Sequence, residues 1–303
     1  MATDQRTFGE GIVMTQAARS SRSKISAVIS DVDGTLVTDE KLLTEATKAA
    51  VKALRERNII FSIISSRPPR GLRMLIEALQ IAAPFGGFNG GLIAAPDFSV
   101  IRQHLLPRTI AQRTIDMLSA IGAQCWLFAG SEWLLRDAAA PYVPLEQRTV
   151  AFPPTVVEDF APFFDRTGKI VGVSADFGRL AQCETDLRTA LADGASVARS
   201  QPQYLDITHP LANKGGALLA IADLLSVSPT EIAVIGDGGN DVAMFEQAGF
   251  SIAMGNAAAR VKGTADVVTK SNREDGFADA IERFVLHRDD AIQSDSATAG
   301  ARG

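Results

Sequence analysis

Two carboxylates two residues apart close an apolar run in the stretch Val28-Ile29-Ser30-Asp31-Val32-Asp33-Gly34-Thr35-Leu36. Acids this close repel each other unless a cation lies between them or one of them holds a proton. Three further polar clusters stand in similar surroundings. Ser65 and Ser66 close the run Ile59–Ile64, Lys214 heads a helical pattern behind Asn213, and Asp237, Asn240 and Asp241 follow the run Ile232–Ile235. Brought together, these groups suit phosphoryl transfer. Asp31 could attack phosphorus as a carboxylate nucleophile. Asp33 could protonate the leaving oxygen and then deprotonate the attacking water. Lys214 and a serine hydroxyl could balance charge on the phosphoryl oxygens. A hard cation with oxygen ligands, Mg²⁺, would let Asp31, Asp237 and a phosphate share one space.

The chain between these clusters alternates short apolar runs with helix-period segments, which predicts βαβ units and a parallel sheet. Open α/β sheets bind ligands beyond the C-terminal ends of their strands, where three of the four clusters fall. Strands are expected at Ile25–Ile29, Ile59–Ile64, Phe85–Phe88, Ile232–Ile235, Phe250–Ala253 and Asp266–Val268. Helices are expected over 44–57 with Thr44 as N-cap, over 70–80 behind Pro68 and Pro69, and over 213–225 and 276–286. From about Leu92 the texture changes to a hairpin (Gln124–Phe128 and Trp133–Arg136), a proline-broken stretch, a helix near 178–191, and strands at Lys169–Ser174 and Tyr204–Ile207. The expected organisation is a discontinuous core, 24–89 and 209–287, interrupted by an inserted α+β domain over 90–208. Residues 1–23 and 288–303 are small, polar and unpatterned, and are expected to be flexible tails.

The bulk properties exclude several classes. A net charge of −5 argues against a nucleic-acid or polybasic membrane binder. No stretch approaches the ~18 apolar residues of a membrane span, and no secretory h-region precedes Lys24, so a cytoplasmic protein is expected. Cys125 and Cys183 lack metal-ligand spacing and read as buried thiols. Neither a G-x-G-x-x-G loop nor a Walker A pattern occurs. Trp126 and Trp133 suggest a sugar-stacking platform, but hairpin aromatics more often pack. His209 stands close to Lys214 in sequence without matching any cluster, and Arg67 reads as either a surface charge or a brace for the pocket edge.

The four clusters, in this order and spacing, resemble the motifs of the haloacid dehalogenase superfamily, and within it the Cof-like phosphatases with a large α/β cap. The motifs stand as Asp31-Val32-Asp33-Gly34-Thr35, Ser65-Ser66-Arg67-Pro68, Asn213-Lys214-Gly215 and Gly236-Asp237-Gly238-Gly239-Asn240-Asp241-Val242-Ala243-Met244, and the likeness runs from about Lys24 to Leu286. Ser66 departs from it, because the branch usually carries glycine there. The resemblance implies a Rossmann-like parallel core with an inserted cap that closes as a lid. It implies Asp31 as nucleophile and Mg²⁺ ligand, and Asp33 as acid/base with its carbonyl on the metal. Ser65, Ser66, Lys214 and Asn240 become phosphate contacts, Asp237 a second carboxylate ligand, and Asp241 a ligand acting through water. The implied activity is Mg²⁺-dependent hydrolysis of a small phosphorylated metabolite, a sugar phosphate in class, through an aspartyl-phosphate. A phosphomutase or phosphotransferase would share every motif. A non-catalytic phospho-ligand binding module would be expected to lose Asp31 or Asp33.

Overall fold

The computed structural model describes residues 24–287. The expected terminal tails lie outside the described residues. The chain opens with β1 (Ala27–Ser30), α1 (Glu45–Glu56), β2 (Ile60–Ile63), a 3₁₀ turn over Pro69–Leu72 and α2 (Arg73–Leu79). Next come β3 (Phe85–Gly87), β4 (Leu92–Ala94), β5 (Val100–Gln103), α3 (Arg108–Ala120), β6 (Gln124–Ala129) and β7 (Glu132–Leu135). They are followed by α4 (Val143–Val150), β8 (Thr155–Val156), β9 (Thr167–Val173), α5 (Phe177–Leu191), β10 (Ser196–Gln201) and β11 (Tyr204–Thr208). The chain then runs through α6 (Lys214–Leu225), β12 (Ile232–Gly236), α7 (Val242–Phe245), β13 (Phe250–Ala253), α8 (Ala259–Lys262), β14 (Val267–Val268) and α9 (Gly276–Ala280), which continues as a π turn over Ile281–Leu286.

Three sheets organise these elements. The core sheet is parallel and five-stranded, in the order β14-β13-β12-β1-β2. Its strands are apolar without alternation because both faces are covered: Val28 packs into one hydrophobic cluster while Ala27 and Ile29 pack into another. A second sheet of six strands, in the order β10-β11-β9-β6-β7-β8, is antiparallel except for the β7–β8 pair. Helices α3 and α5 cover one face of this second sheet through Ile115, Leu118, Leu180 and Leu187. Its other face turns toward the core, where Trp126, Trp133 and Tyr204 share a cluster with Leu72 and Phe88. This is the mixed α/β architecture expected, a parallel core joined to a separate antiparallel unit.

Several local expectations change. Residues 85–87 do not extend the parallel sheet; β3 pairs antiparallel with β4, and β4 with β5. Only one bridge, Ile64 to Gly86, ties β3 to the core strands. Beyond it the contact continues as single backbone hydrogen bonds, Ser65 N–H to the Gly86 carbonyl, Phe88 N–H to the Arg67 carbonyl and Asn89 N–H to the Ser65 carbonyl, until Pro68 and Pro69, which have no N–H to donate. The proline-broken stretch holds α4, because Pro144 falls in the helix's first turn where no intrahelical donor is needed. Helix α3 and strand β10 are additional to the expected elements, although Ala111, Thr114, Ile115 and Leu118 of α3 do stand at helical spacing on its buried face. Trp126 and Trp133 are 1% and 0% exposed and meet edge to face at 5.3 Å, so they pack rather than offering an open stacking platform. Both cysteines are free and buried, as expected. Among the described residues no helix is long and apolar enough to cross a membrane.

Candidate active site

Parallel register brings the chemistry together. Ser30 is level with Ile235 on one side and Ile63 on the other, so Asp31, Gly236-Asp237 and Ile64-Ser65 emerge side by side at one sheet edge. Turning there demands glycine at position 34. Its φ of +83° is left-handed, and a Cβ on it would lie 2.3 Å from a carboxylate oxygen of Asp237. Helix α6 brings Lys214 in from outside the sheet, its N-terminus set by Asn213, whose side chain accepts from the Gly216 N–H at 2.8 Å.

Lys214 is buried among acids. Its Nζ donates to Asp31 Oδ1 at 2.6 Å and to Asp241 Oδ1. The other oxygen of Asp241 accepts from the backbone N–H groups of Asp237 and Gly238 at 2.9 and 2.7 Å. Asp241 is fully buried with both oxygens engaged, so in this arrangement it organises the loop and positions Lys214. Asp237 is oriented by Thr35, whose hydroxyl donates at 2.8 Å, and by the Asn256 amide at 3.3 Å.

One oxygen each of Asp31, Asp237 and Asp241 lie within 4.8 Å of one another. Three carboxylates against one ammonium leave two negative charges uncompensated when all are ionised. Burial, then the neighbouring Asp241, pushes the Asp31 carboxyl well above its usual value, and burial with Asp241 takes Asp237 up to about 6 despite the Thr35 hydrogen bond. Lys214 moves upward, because the two acids outweigh the cost of burying it. A divalent cation held by these acids would supply the missing charge, and an all-oxygen donor set suits Mg²⁺. The residues therefore fit the metal.

Asp33 lives in the opposite field. Arg67 grips it with two parallel bonds of 2.7 Å, Nε to Oδ2 and Nη2 to Oδ1, and Lys41 Nζ adds a third contact at 2.7 Å. Burial alone would raise this carboxyl, but the Arg67 hydrogen bonds and charge, followed by Lys41, hold it down at about 2. Arg67 is only 7% exposed and braces Asp33, so the surface-charge alternative falls away. A depressed carboxylate stabilises the fold above its unfolded pKa and loses that contribution as pH falls through the folded value. Arg67→Met should therefore cost about 2 kcal/mol at pH 7, shrinking to about half by pH 3. Denaturant titrations of parent and variant at the two pH values check this; a difference independent of pH would show that the guanidinium acts by packing alone.

The remaining expected contacts fall at the same edge. Ser65 is buried, its Oγ accepting from the Arg67 N–H at 3.2 Å, and Ser66 beside it is half-buried. Asn240 is exposed and donates to Asn89 at 2.9 Å, joining the loop after β12 to the turn after β3. His209 does not join this group; it stacks on His104 at 5.1 Å. Four contributors carry no role in the expectations from sequence: Thr35, which stands inside the first motif, Lys41, Asn89 and Asn256. Thr35 and Asn256 had a usable signal, each standing just beyond a strand at the ligand edge. Lys41 had none, because its approach to Asp33 depends on a turn with φ of +66°.

Known proteins resemble this chain in sequence and in fold. Residues 28–281 match the family of haloacid dehalogenase-like hydrolases. The chain is 29% identical over 263 residues to a Haemophilus influenzae protein named provisionally as a phosphatase, covering 84% of this chain and 97% of the relative. A Bacillus subtilis relative named 5-amino-6-(5-phospho-D-ribitylamino)uracil phosphatase is 25% identical over 268 residues, covering 86% of this chain and 96% of its own length. A crystal structure of a haloacid dehalogenase-like hydrolase from Bacteroides thetaiotaomicron superposes with a TM-score of 0.81 at 27% identity, covering 86% of this chain and all of the other. Sequence motifs, sheet topology and family match agree: the chain belongs to the haloacid dehalogenase-like hydrolases.

Proposed function

We propose that this enzyme is a Mg²⁺-dependent phosphatase that hydrolyses a small phosphorylated metabolite, a sugar or polyol phosphate in class, through an aspartyl-phosphate on Asp31. The observation that carries the reading is the division of labour between two acids two residues apart. Asp31 shares Lys214 with Asp241 inside the carboxylate cluster, while Asp33 is turned away to Arg67 and Lys41. The Bacillus subtilis relatives support the substrate class, since their names place the phosphate on a ribityl chain.

Asp31, Asp237 and the Asp33 carbonyl would hold Mg²⁺, with Asp241 behind them; the ion neutralises the acid cluster and the phosphoryl oxygens. Lys214 orients the Asp31 carboxylate for attack on phosphorus. Ser65 and Asn240 bind the phosphoryl oxygens, with Ser66 at the pocket edge. The Asp33 side is electropositive, two cations facing one carboxylate, and so draws in the dianionic ester. As phosphate competes for Arg67 and Lys41, their hold on Asp33 weakens. Asp33 can then carry the proton that the leaving oxygen needs and later take one from the attacking water.

The insert over about 90–208 serves as the lid, on a core built from 24–89 and 209–287. Two free, buried thiols fit a reducing, cytoplasmic setting. A panel of sugar, polyol and nucleoside phosphates, assayed with Mg²⁺ and with EDTA, tests the reading. EDTA is expected to lower turnover at least about 100-fold, with recovery on adding Mg²⁺. Turnover that survives exhaustive chelation would refute the metal requirement, and a panel with no hydrolysed ester would refute the activity.

A further inference from the structure

Alternation along the second sheet shows which side chains it presents to the core. Trp126, Trp133, Val171 and Tyr204 share a cluster with Leu72 and Phe88, whereas Leu127, Ile170, Leu205 and Ile207 pack beneath α3 and α5. Phe88 beside the ligand edge meets Phe128 of β6 at 5.9 Å. Register sets Lys169 level with Phe128 and Thr208, and Asp206 level with Val171, so both charged residues belong to the core-facing set. They form an ion pair of 2.8 Å and are each only 9% exposed.

A buried ion pair is a poor way to stabilise a sheet, because desolvation offsets most of the attraction. The apolar neighbours show what would serve if packing were the sole demand. The pair engages one ammonium proton and one carboxylate oxygen, which leaves further donors and an acceptor. Two residues along β11, the Tyr204 hydroxyl is buried without a hydrogen-bond partner, an uncommon state for a buried polar atom. Glu146 of α4 lies within electrostatic reach of both this group and Asp33. Its carboxyl feels Lys169 and Asp206 from the second sheet and Asp33 and Arg67 from the core. Unsatisfied hydrogen-bonding capacity thus lies on the sheet face that packs against Leu72 and Phe88, the latter adjoining Asn89 of the ligand edge.

We propose that Lys169, Asp206 and Tyr204 form the subsite that reads the leaving group, hydrogen-bonding neighbouring hydroxyls of an uncharged sugar or polyol. This rests on the phosphatase reading above. An ammonium that donates beside a carboxylate that accepts matches two hydroxyls on adjacent carbons, and the Tyr204 hydroxyl serves a third. The pair is internally neutral, so it selects for hydroxyls rather than for a second anionic group.

The test compares kcat/KM for sorbitol 6-phosphate with that for p-nitrophenyl phosphate, which offers no hydroxyl to the subsite. Lys169→Met/Asp206→Leu removes both charges together and leaves neither buried alone, and Tyr204→Phe deletes only the hydroxyl. The ratio is expected to fall about 100-fold in the double variant and about 5-fold in Tyr204→Phe, mainly through KM. Ratios within twofold of the parent in both variants would overturn the proposal. So would a parent that hydrolyses p-nitrophenyl phosphate but favours no hydroxylated ester. If the parent hydrolyses neither these two compounds nor any ester of the panel above, the phosphatase reading itself falls and takes the subsite with it. Tyr204→Phe, nearly isosteric, decides the matter if the double variant does not fold.

Discussion

Asp31→Asn is expected to lower turnover at least about 1000-fold while leaving a folded protein, because the amide cannot form the acyl-phosphate. The same change removes one acid from a cluster already short of positive charge. The sign follows from linkage. Asp31's folded pKa lies above its unfolded value, so its ionisation at neutral pH opposes folding, and the neutral amide relieves that. In EDTA at pH 7 the variant should therefore melt no lower than the parent, even as activity disappears. Turnover within tenfold of the parent would remove Asp31 from the nucleophile's role. Asp33→Asn keeps the nucleophile but loses the group that activates water, so phosphorylated enzyme should accumulate and be visible by intact-mass spectrometry.

Lys214→Met should have the largest effect on stability. Among the described residues Lys214 is the one cation contacting Asp31 and Asp241, and its side chain is wholly buried. Removing it strands buried carboxylates, a change that costs about 3–5 kcal/mol. The loss should be greatest without metal. Divalent binding to the folded state supplies positive charge to the same cluster, so millimolar Mg²⁺ should raise the variant's denaturation midpoint more than the parent's. Denaturant titrations with EDTA and with Mg²⁺ measure both effects. Equal stability of parent and variant in EDTA would mean that the acids, rather than the lysine, adjust to burial by taking up protons.

The pair of predictions depends on two opposite fields a few residues apart. Asp31 sits in excess negative charge and Asp33 in excess positive charge, so one acid calls for a cation and the other for an anion. A phosphoester with Mg²⁺, as proposed above, would answer both at once. The free enzyme also differs from the simplest picture of an acid catalyst, since Arg67 and Lys41 keep Asp33 ionised until something competes for them.

The sequence alone determined which polar groups gather at one sheet edge. Parallel strands buried on both faces must read as unbroken apolar runs, and ligand groups must follow their C-terminal ends. That placed Asp31, Asp33, Ser65 and Asp237 in one crevice, and the helix signal at Asn213-Lys214 added the lysine. Local patterning also located β6, β7, β9, β11, α5 and α6, whose alternation or capping is carried by adjacent residues. Only the tertiary structure decided which way the polar groups point and what they grip. Arg67 reaches Asp33 across 34 residues, and Lys214 reaches Asp31 across 183. No local period reports such contacts. The partner of β3, the packing of Trp126 and Trp133 toward the core, and the buried Lys169–Asp206 pair belong to the same class. Each depends on how one sheet's face meets another element, a choice made by burial and charge balance over the whole fold and not by the residues on either side.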